Sequence, residues 1–494
     1  MRNIFLSLLL VSVFKSTGFC QIYSEGQCPK IHFEEWEKMT QSKQKTIDWF
    51  KDAKFGLFIH WGLFSIPAGI WKGVKIHDMR EPYVAEWIMY AARIPRDEYA
   101  QLANQFNPSE FNAYEIAKLA RDAGMKYIVI TSKHHDGFAL FDSKASDFDI
   151  MDATPFKRDI IKELHEACNK LDLAFGVYYS HNIDWHDGSD AQSALSVQLK
   201  PGISEFEKTF GANTWDQSLN SFDDYLQNKA YPQVKELMIQ YPDMKLLWYD
   251  MDYRMTAEQS YNFYKIVYGL QPQIIINDRI GNGFGDYTIP GDNKIPEEYE
   301  HSKKPWETVG TFNNSWGFNS YDHDWKSPQE VLYWLVEIVS KGGNYMLNIG
   351  PTGEGVVPGQ SVNNLKDVGK WLAINGEAIY GTEKWKITRE GSTVINFKST
   401  EDRAAKGFEV HFTPQDFWFT RKDDAFYAIS LEKPEENIII KSFNTNIGKI
   451  NTVSILGKGK VKFKQTKDAL IVTTPKLFMP ANGFVVKVEF TELN

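Results

Sequence analysis

Asp250 closes the apolar run Leu246-Leu247-Trp248-Tyr249, so its carboxylate is expected at a strand end, beside an aromatic wall that limits water. Such a carboxylate suits nucleophilic attack on a sugar. Asp is also a favoured helix N-cap, and the local sequence leaves that alternative open. A glycosidase that retains configuration needs a second carboxyl about 5 Å from the first, to protonate the leaving oxygen and later activate water. Candidates cluster between Asp286 and Glu307, where the competing reading is solvated charge on a loop.

Tandem His134-His135, followed by Asp136-Gly137, offers imidazoles suited to sugar hydroxyls, because a neutral ring carries one donor and one acceptor. Metal ligation by the pair is disfavoured, since neighbours on a strand point to opposite sides and no HExxH-like spacing occurs. Asp278-Arg279 ends another apolar run and reads either as a surface ion pair or as part of a site. Gly342-Gly343-Asn344 and Asn348-Ile349-Gly350-Pro351 lack the Lys and spacing of a P-loop and read as tight turns. No cofactor and no metal is implied.

A frame that gathers strand ends would bring these residues together. From residue 40 to about 385, short apolar runs alternate with helical patterns such as Tyr114 to Ala123 and Asp159 to Leu171, the signature of βα units around a parallel sheet. Several runs finish in polar or aromatic residues: His60-Trp61, His134-His135, Tyr179-Ser180, Asp250 and Asn277-Asp278-Arg279. In a (β/α)8 barrel such ends converge on one mouth. After about residue 386 the pattern becomes alternation without helices, as in Val485-Val486-Lys487-Val488-Glu489-Phe490, which reads as antiparallel β-sandwich. The expected organisation is α/β: a leader over residues 1–20, a (β/α)8-type barrel over 30–385 and a C-terminal antiparallel β-sandwich over 386–494. The polar stretch from Gly188 to Asn213 reads as a long loop over the barrel mouth.

Composition narrows the partners. A net charge of −9 disfavours nucleic acid. Aromatics reach 14%, with 15 Trp and 23 Tyr, an excess that fits a surface for the flat apolar faces of sugars. The apolar run from Ile4 to Phe14 has the length of a signal-peptide core and is too short to span a bilayer, so export is expected. Gly18-Phe19-Cys20 allows cleavage before Gln21, while Cys20 keeps a lipoprotein anchor as the alternative. With cysteines only at 20, 28 and 168 the chain is no disulfide scaffold, and pairing of Cys28 with Cys168 stays open beside two unpaired thiols.

Several segments together resemble glycoside hydrolase family 29, the α-L-fucosidases, over roughly residues 35 to 385. They are Phe55-Gly56-Leu57-Phe58-Ile59-His60-Trp61-Gly62, Lys133-His134-His135-Asp136-Gly137-Phe138, Asn277-Asp278-Arg279, Gly342 to Pro351, and Trp371 to Tyr380. The resemblance implies a barrel followed by a β-sandwich, metal-free retaining hydrolysis and fucosylated glycans as substrates. It implies that His60, Glu86, Trp87, His134, His135, Tyr179, Trp248 and Arg279 contact fucose, that Trp87 or Trp248 packs near the C5 methyl group, and that Asp250 is the nucleophile. For the acid/base, the family pattern of Gly-Asp, two residues, then Thr-Pro-Glu falls on Gly291-Asp292-Asn293-Lys294-Ile295-Pro296-Glu297, with Ile295 in place of Thr. Glu297 is the expected acid, with Glu298 and then Asp292 in reserve. The leaving-group side is expected from loops such as Gly188 to Asn213 and from Trp316. Two competing readings are a fucose-binding protein without turnover and the same barrel acting on a related glycoside such as an α-galactoside.

Overall fold

The computed structural model describes residues 32–188, 215–216, 220–251, 255–296, 304–395, 408 and 410–494. Within them, six apolar runs of the first part and the more polar segment Glu307–Thr311 form seven parallel strands: β1 (Phe55–Ile59), β2 (Tyr127–Lys133), β3 (Ala174–Ser180), β4 (Leu246–Asp250), β5 (Ile275–Ile276), β6 (Glu307–Thr311) and β7 (Asn344–Ile349). They lie side by side in the order β5-β4-β3-β2-β1-β7-β6. α1 (Phe33–Gln41) and α2 (Gln44–Ala53) precede them, α3 (Ala113–Asp122), α4 (Ile160–Lys170), α5 (Tyr231–Gln240), α6 (Ala257–Leu270) and α7 (Pro328–Ser340) run between them, and α8 (Gly359–Asn375) follows the last. Their starts are marked locally: the Asn112, Asp159, Thr256 and Ser327 side chains each accept a backbone N–H three residues on.

The sheet curls into a barrel, and its two edges are joined without a regular eighth strand. The segment from Tyr287 to Asp292 makes single parallel bridges to both edges, Asn277↔Tyr287 on the β5 side and Thr288↔Trp306 and Asp292↔Val309 on the β6 side. Asp286 N donates to Ile276 O at 2.7 Å, and Asn293 N donates to Val309 O at 2.8 Å. Period-two alternation sorts the strand side chains. Phe58, Tyr127, Val129, Tyr178, Trp248, Val309 and Met346 share the barrel interior, which Ile47, Phe50 and Ala53 of α2 plug from the end where the strands begin. Leu57, Ile128, Val177, Tyr179, Leu247 and Leu347 instead pack outward in the layer of the helices. Gly56 is required by this interior: a Cβ there would lie 2.2 Å from the Tyr127 ring.

From Glu383 onward the chain forms a six-stranded and a three-stranded antiparallel sheet around a second core that includes Trp385, Phe419, Phe426, Phe443 and Val486. Alternation along Phe417–Lys422 joins this unit to the barrel. Phe417 and Phe419 enter the second core, while Trp418 donates its indole N–H to Glu337 on α7 at 2.5 Å and Thr420 donates to the Ala378 carbonyl at 2.7 Å. Among the described residues no helix is long and apolar enough to cross a membrane. Cys168 is buried on α4, while Cys20 and Cys28 lie outside the described residues.

Candidate active site

Asp250 is the last residue of β4, at the end of the barrel where the strands finish. The N-cap alternative does not hold: the next helix, α6, is capped by Thr256. Both carboxylate oxygens of Asp250 accept hydrogen bonds. Oδ1 takes Arg279 Nη1–H at 2.7 Å and the Met251 N–H at 3.0 Å, and Oδ2 takes the Tyr178 hydroxyl at 3.0 Å. Burial, and then the Asp250 charge, hold the Tyr178 pKa well above its usual value, so that hydroxyl stays a donor. For Arg279, burial opposes the charge, but Asp292 and Asp250 outweigh it and raise the pKa. The guanidinium gives its other terminal nitrogen to Asp292 and stands over the Trp248 ring, 4.8 Å from its centre. One cation therefore bridges two carboxylates at the mouth.

Three histidines stand around this carboxylate, and burial keeps them neutral. It lowers the His60 pKa to about 4, and those of His134 and His135 well below the usual range. Their tautomers follow from their neighbours. Asn348 spends its Nδ2–H on the Trp316 carbonyl at 2.7 Å, so its oxygen faces His60 Nδ1 at 2.7 Å and must accept. Ser180 spends its one hydroxyl proton on the Ile183 carbonyl at 2.8 Å, so it accepts from His135 Nδ1 at 2.7 Å. Both rings keep Nε2 as an acceptor, and in His135 that atom is 3.6 Å from Asp250 Oδ2. Two acceptors at that spacing suit an incoming sugar O–H. His134 stacks on Tyr178 at 15°, and its buried Nδ1 has no partner among the described residues, the kind of group a ligand hydroxyl satisfies.

Apolar rings complete the wall. Trp87 meets His135 edge-on at 5.2 Å, and Trp316 lies 5.1 Å from His60. Glu86 is buried and accepts the Gly317 N–H at 2.8 Å, which ties the loop of Trp316 to that of Trp87. Burial pushes the Glu86 carboxyl up to about 7, against the pull of its hydrogen bonds.

Of the residues expected from the sequence, the structure brings His60, Glu86, Trp87, His134, His135, Trp248, Arg279 and Trp316 to the end of the barrel that holds Asp250. Tyr179 is not among them. Its side chain points outward and donates to Gln233 of α5 at 2.9 Å, because the strand alternates and its neighbour Tyr178 takes the inward position. Glu297 and Glu298 lie outside the described residues, as does the stretch from Gly188 to Asn213 apart from Gly188 itself. No group of three or more His, Cys, Asp or Glu among the described residues has the arrangement of a metal site.

A barrel with this mouth, followed by a β-sandwich, has close counterparts. The α-L-fucosidase family profile matches residues 24–377, and the profile of the α-L-fucosidase C-terminal domain matches residues 411–489. The chain belongs to the α-L-fucosidase family. The tissue α-L-fucosidase of Homo sapiens is 30% identical over 495 residues, which cover 95% of this chain and 93% of that one. The plasma α-L-fucosidase of Rattus norvegicus is 32% identical over 467 residues, 90% of each chain. Among solved structures, an α-L-fucosidase from a Vibrio species aligns with a TM-score of 0.73 at 30% identity, over 91% of this chain and 73% of that one. The Lactobacillus casei α-L-fucosidase in complex with its α-L-fucose product aligns with a TM-score of 0.60 at 39% identity, over 67% and 99%.

In this family member, Tyr178 and Asn348 line the candidate site although the sequence alone did not single them out, and Ser180, named there only as a strand end, holds the His135 ring. The signal for Tyr178 is register: it pairs with Trp248 across β3 and β4, so both face inward. A buried charge network supports the imidazoles from behind. Lys133 Nζ and Lys229 Nζ both reach Asp184 Oδ2 at 3.0 Å, and Lys229 also holds Asp187 at 2.6 Å and the Gly137 carbonyl at 3.0 Å. Lys229 sits in a single π-helical turn, Leu226–Ala230, a feature often found beside functional sites. Gly137, at φ +83°, leaves room for the Asp184 carboxylate, which a Cβ would approach to 2.5 Å.

At the opposite end of the barrel Glu307 is fully buried and accepts the Tyr127 hydroxyl at 2.5 Å. Burial pushes its pKa from 4.5 up to about 8. The folded state thus keeps a proton that the unfolded chain loses, so stability from this group falls as pH rises from 4.5 to about 8. Glu307→Gln cannot titrate and is expected to gain stability relative to wild type across that window. Urea unfolding at pH 5 and pH 8 checks this, and a constant difference between the two proteins would refute it.

Proposed function

We propose that this chain is an exo-acting α-L-fucosidase that releases terminal α-L-fucosyl residues from oligosaccharides or glycoconjugates with net retention. Asp250 is the nucleophile. One carboxylate oxygen attacks the anomeric carbon, the glycosidic bond breaks, and the leaving oxygen takes a proton from the acid, giving a β-linked fucosyl-enzyme. The acid, now a carboxylate, takes a proton from water, which attacks the same carbon and frees Asp250 and α-L-fucose. His60, His134 and His135 receive sugar hydroxyls, Arg279 and Tyr178 orient the nucleophile, and Trp87 or Trp248 meets the C5 methyl group. The observation that carries this reading is the Asp250 carboxylate, held by Tyr178 and Arg279 within a pocket of neutral imidazoles, in a member of the α-L-fucosidase family.

For the acid, the family pattern in the sequence favours Glu297. A second reading, Asp292, is favoured by one observation: Arg279 joins it directly to Asp250. Azide separates them. With an aryl α-L-fucoside, whose leaving group needs little acid help, the acid/base variant accumulates fucosyl-enzyme that azide intercepts. Glu297→Gln is therefore expected to be accelerated by azide and to give α-fucosyl azide, while Asp292→Asn is not. The reverse pattern would assign the acid to Asp292. Wild-type binding of fucose without any turnover would replace the enzyme by the sugar-binding reading. Export through residues 1–20 is proposed from the sequence alone, and the N-terminal residue of the mature protein distinguishes cleavage before Gln21 from a lipid anchor at Cys20.

A further inference from the structure

Beyond the fucose pocket, the same two loops carry a second group of rings that the reaction at Asp250 does not use. His77 and Tyr83 belong to the connection after β1, and Tyr321 to the connection after β6. The His77 ring lies parallel to Tyr83, with centres 5.6 Å apart and planes at 15°, and meets Tyr321 edge-on at 5.7 Å. His77 Nδ1 and the Tyr321 hydroxyl are hydrogen-bonded at 2.9 Å, and Lys75 Nζ stands 4.8 Å from the Tyr321 ring centre. His77 is exposed, and Tyr83 keeps 38% of its surface exposed. The segment that carries His77 also lines an open cavity of about 470 Å³ with Trp71 and Arg80.

These rings are fixed relative to the pocket. The two loops are laced from the inside outward: Glu86 holds the Gly317 N–H at 2.8 Å, Ser315 Oγ accepts from Ala85 N at 2.8 Å, and Ala68 O accepts from Ser320 N at 3.0 Å. The His77 contact with Tyr321 closes the series at the rim. Tyr83 is three residues from Glu86, and three residues of extended chain reach about 10 Å at most. The group therefore borders the pocket, at the end of a barrel where βα-loops bind substrates. Rigid, partly exposed rings with polar tips match a pyranose, whose axial C–H bonds make an apolar face and whose hydroxyls radiate from the edge. Lys75 and Arg80 are balanced by Asp78 and Glu81 on the same segment, and Lys72 is paired with Glu98 at 2.7 Å, so nothing here selects a charged sugar.

We propose that His77, Tyr83 and Tyr321 form a platform for the neutral sugar to which the fucose is attached, and so help set which glycans are processed. This rests on the fucosidase reading of the pocket, and the test separates the two. Tyr83→Ala and a Tyr83→Ala/Tyr321→Ala double variant are compared with wild type on an α-L-fucosyl disaccharide and on α-L-fucosyl fluoride, whose leaving group is too small to touch the platform. The expected result is a fall of about tenfold or more in kcat/KM for the disaccharide, with fluoride hydrolysis unchanged, since one stacked ring contact is worth about that factor. Tyr83→Trp, which keeps an aromatic face, is expected to retain disaccharide turnover. Unchanged disaccharide turnover, or an equal fall on both substrates, would overturn the platform while leaving the fucosidase reading intact. A wild type inert on both substrates would overturn both.

Discussion

Replacing Asp250 by Ala should lower kcat for an aryl α-L-fucoside by roughly 10⁴-fold or more, equivalent to about 5–6 kcal/mol of lost transition-state stabilisation. The methyl group offers no oxygen to attack the anomeric carbon, so the covalent route closes. The sugar-binding groups are untouched: His60 stays fixed by Asn348, and His135 by Ser180. Fucose binding should therefore survive, and calorimetric titration separates it from turnover. Azide supplies the decisive stereochemistry. In Asp250→Ala it occupies the space of the lost carboxylate and attacks the substrate directly, giving β-fucosyl azide, the anomer opposite to that from an acid/base variant. Turnover within tenfold of wild type, or an α-azide product, would remove Asp250 from the nucleophile role.

How far the site was legible in the sequence depends on how local its signal is. Asp250 was readable because an apolar run marks β4 and the polar residue ends it. Tyr178 was not, although it adjoins the expected Tyr179. The two differ by one step of a period-two strand, and only pairing with Trp248 decides which faces inward. Asn348 and Ser180 act by fixing imidazole tautomers across 288 and 45 residues of sequence, a relation no spacing reveals. The barrel was legible in its alternating runs. Its closure was not, because Tyr287 to Asp292 joins β5 and β6 through isolated bridges and carries no strand pattern. Two Gly-Asp pairs show the limit most clearly. Gly285-Asp286 and Gly291-Asp292 look alike in sequence, yet Asp286 is 1% exposed while the Asp292 side chain is 45% exposed beside Arg279.

The buried member of that pair carries the second large effect. Asp286 Oδ1 accepts from Thr40 at 2.9 Å and Tyr264 at 2.7 Å, and Oδ2 accepts from Lys43 at 2.8 Å and Ile276 N at 2.9 Å. Four donors from α1, the α1–α2 turn, α6 and β5 meet on one carboxylate, which thereby pins the N-terminal helices to the barrel edge. Lys43 and Asp286 have no exposed side-chain surface. Burial pulls the Lys43 pKa down, and Asp286 is the charge that opposes this. Asp286→Ala should destabilise the fold by about 3–5 kcal/mol, because it leaves the buried Lys43 ammonium and the Ile276 N–H without their acceptor, while the Thr40 and Tyr264 hydroxyls, 3.1 Å apart, keep each other. The expected sign of coupling is specific. In Asp286→Leu/Lys43→Met the charge is gone from both sides, so the double variant should unfold at higher urea than Asp286→Ala alone. Aryl-fucoside turnover by the folded fraction should stay near wild type, since Asp250 lies at the other end of the barrel. A cost below about 1 kcal/mol for Asp286→Ala, or a double variant less stable than that single one, would show that the pair does not hold the fold together.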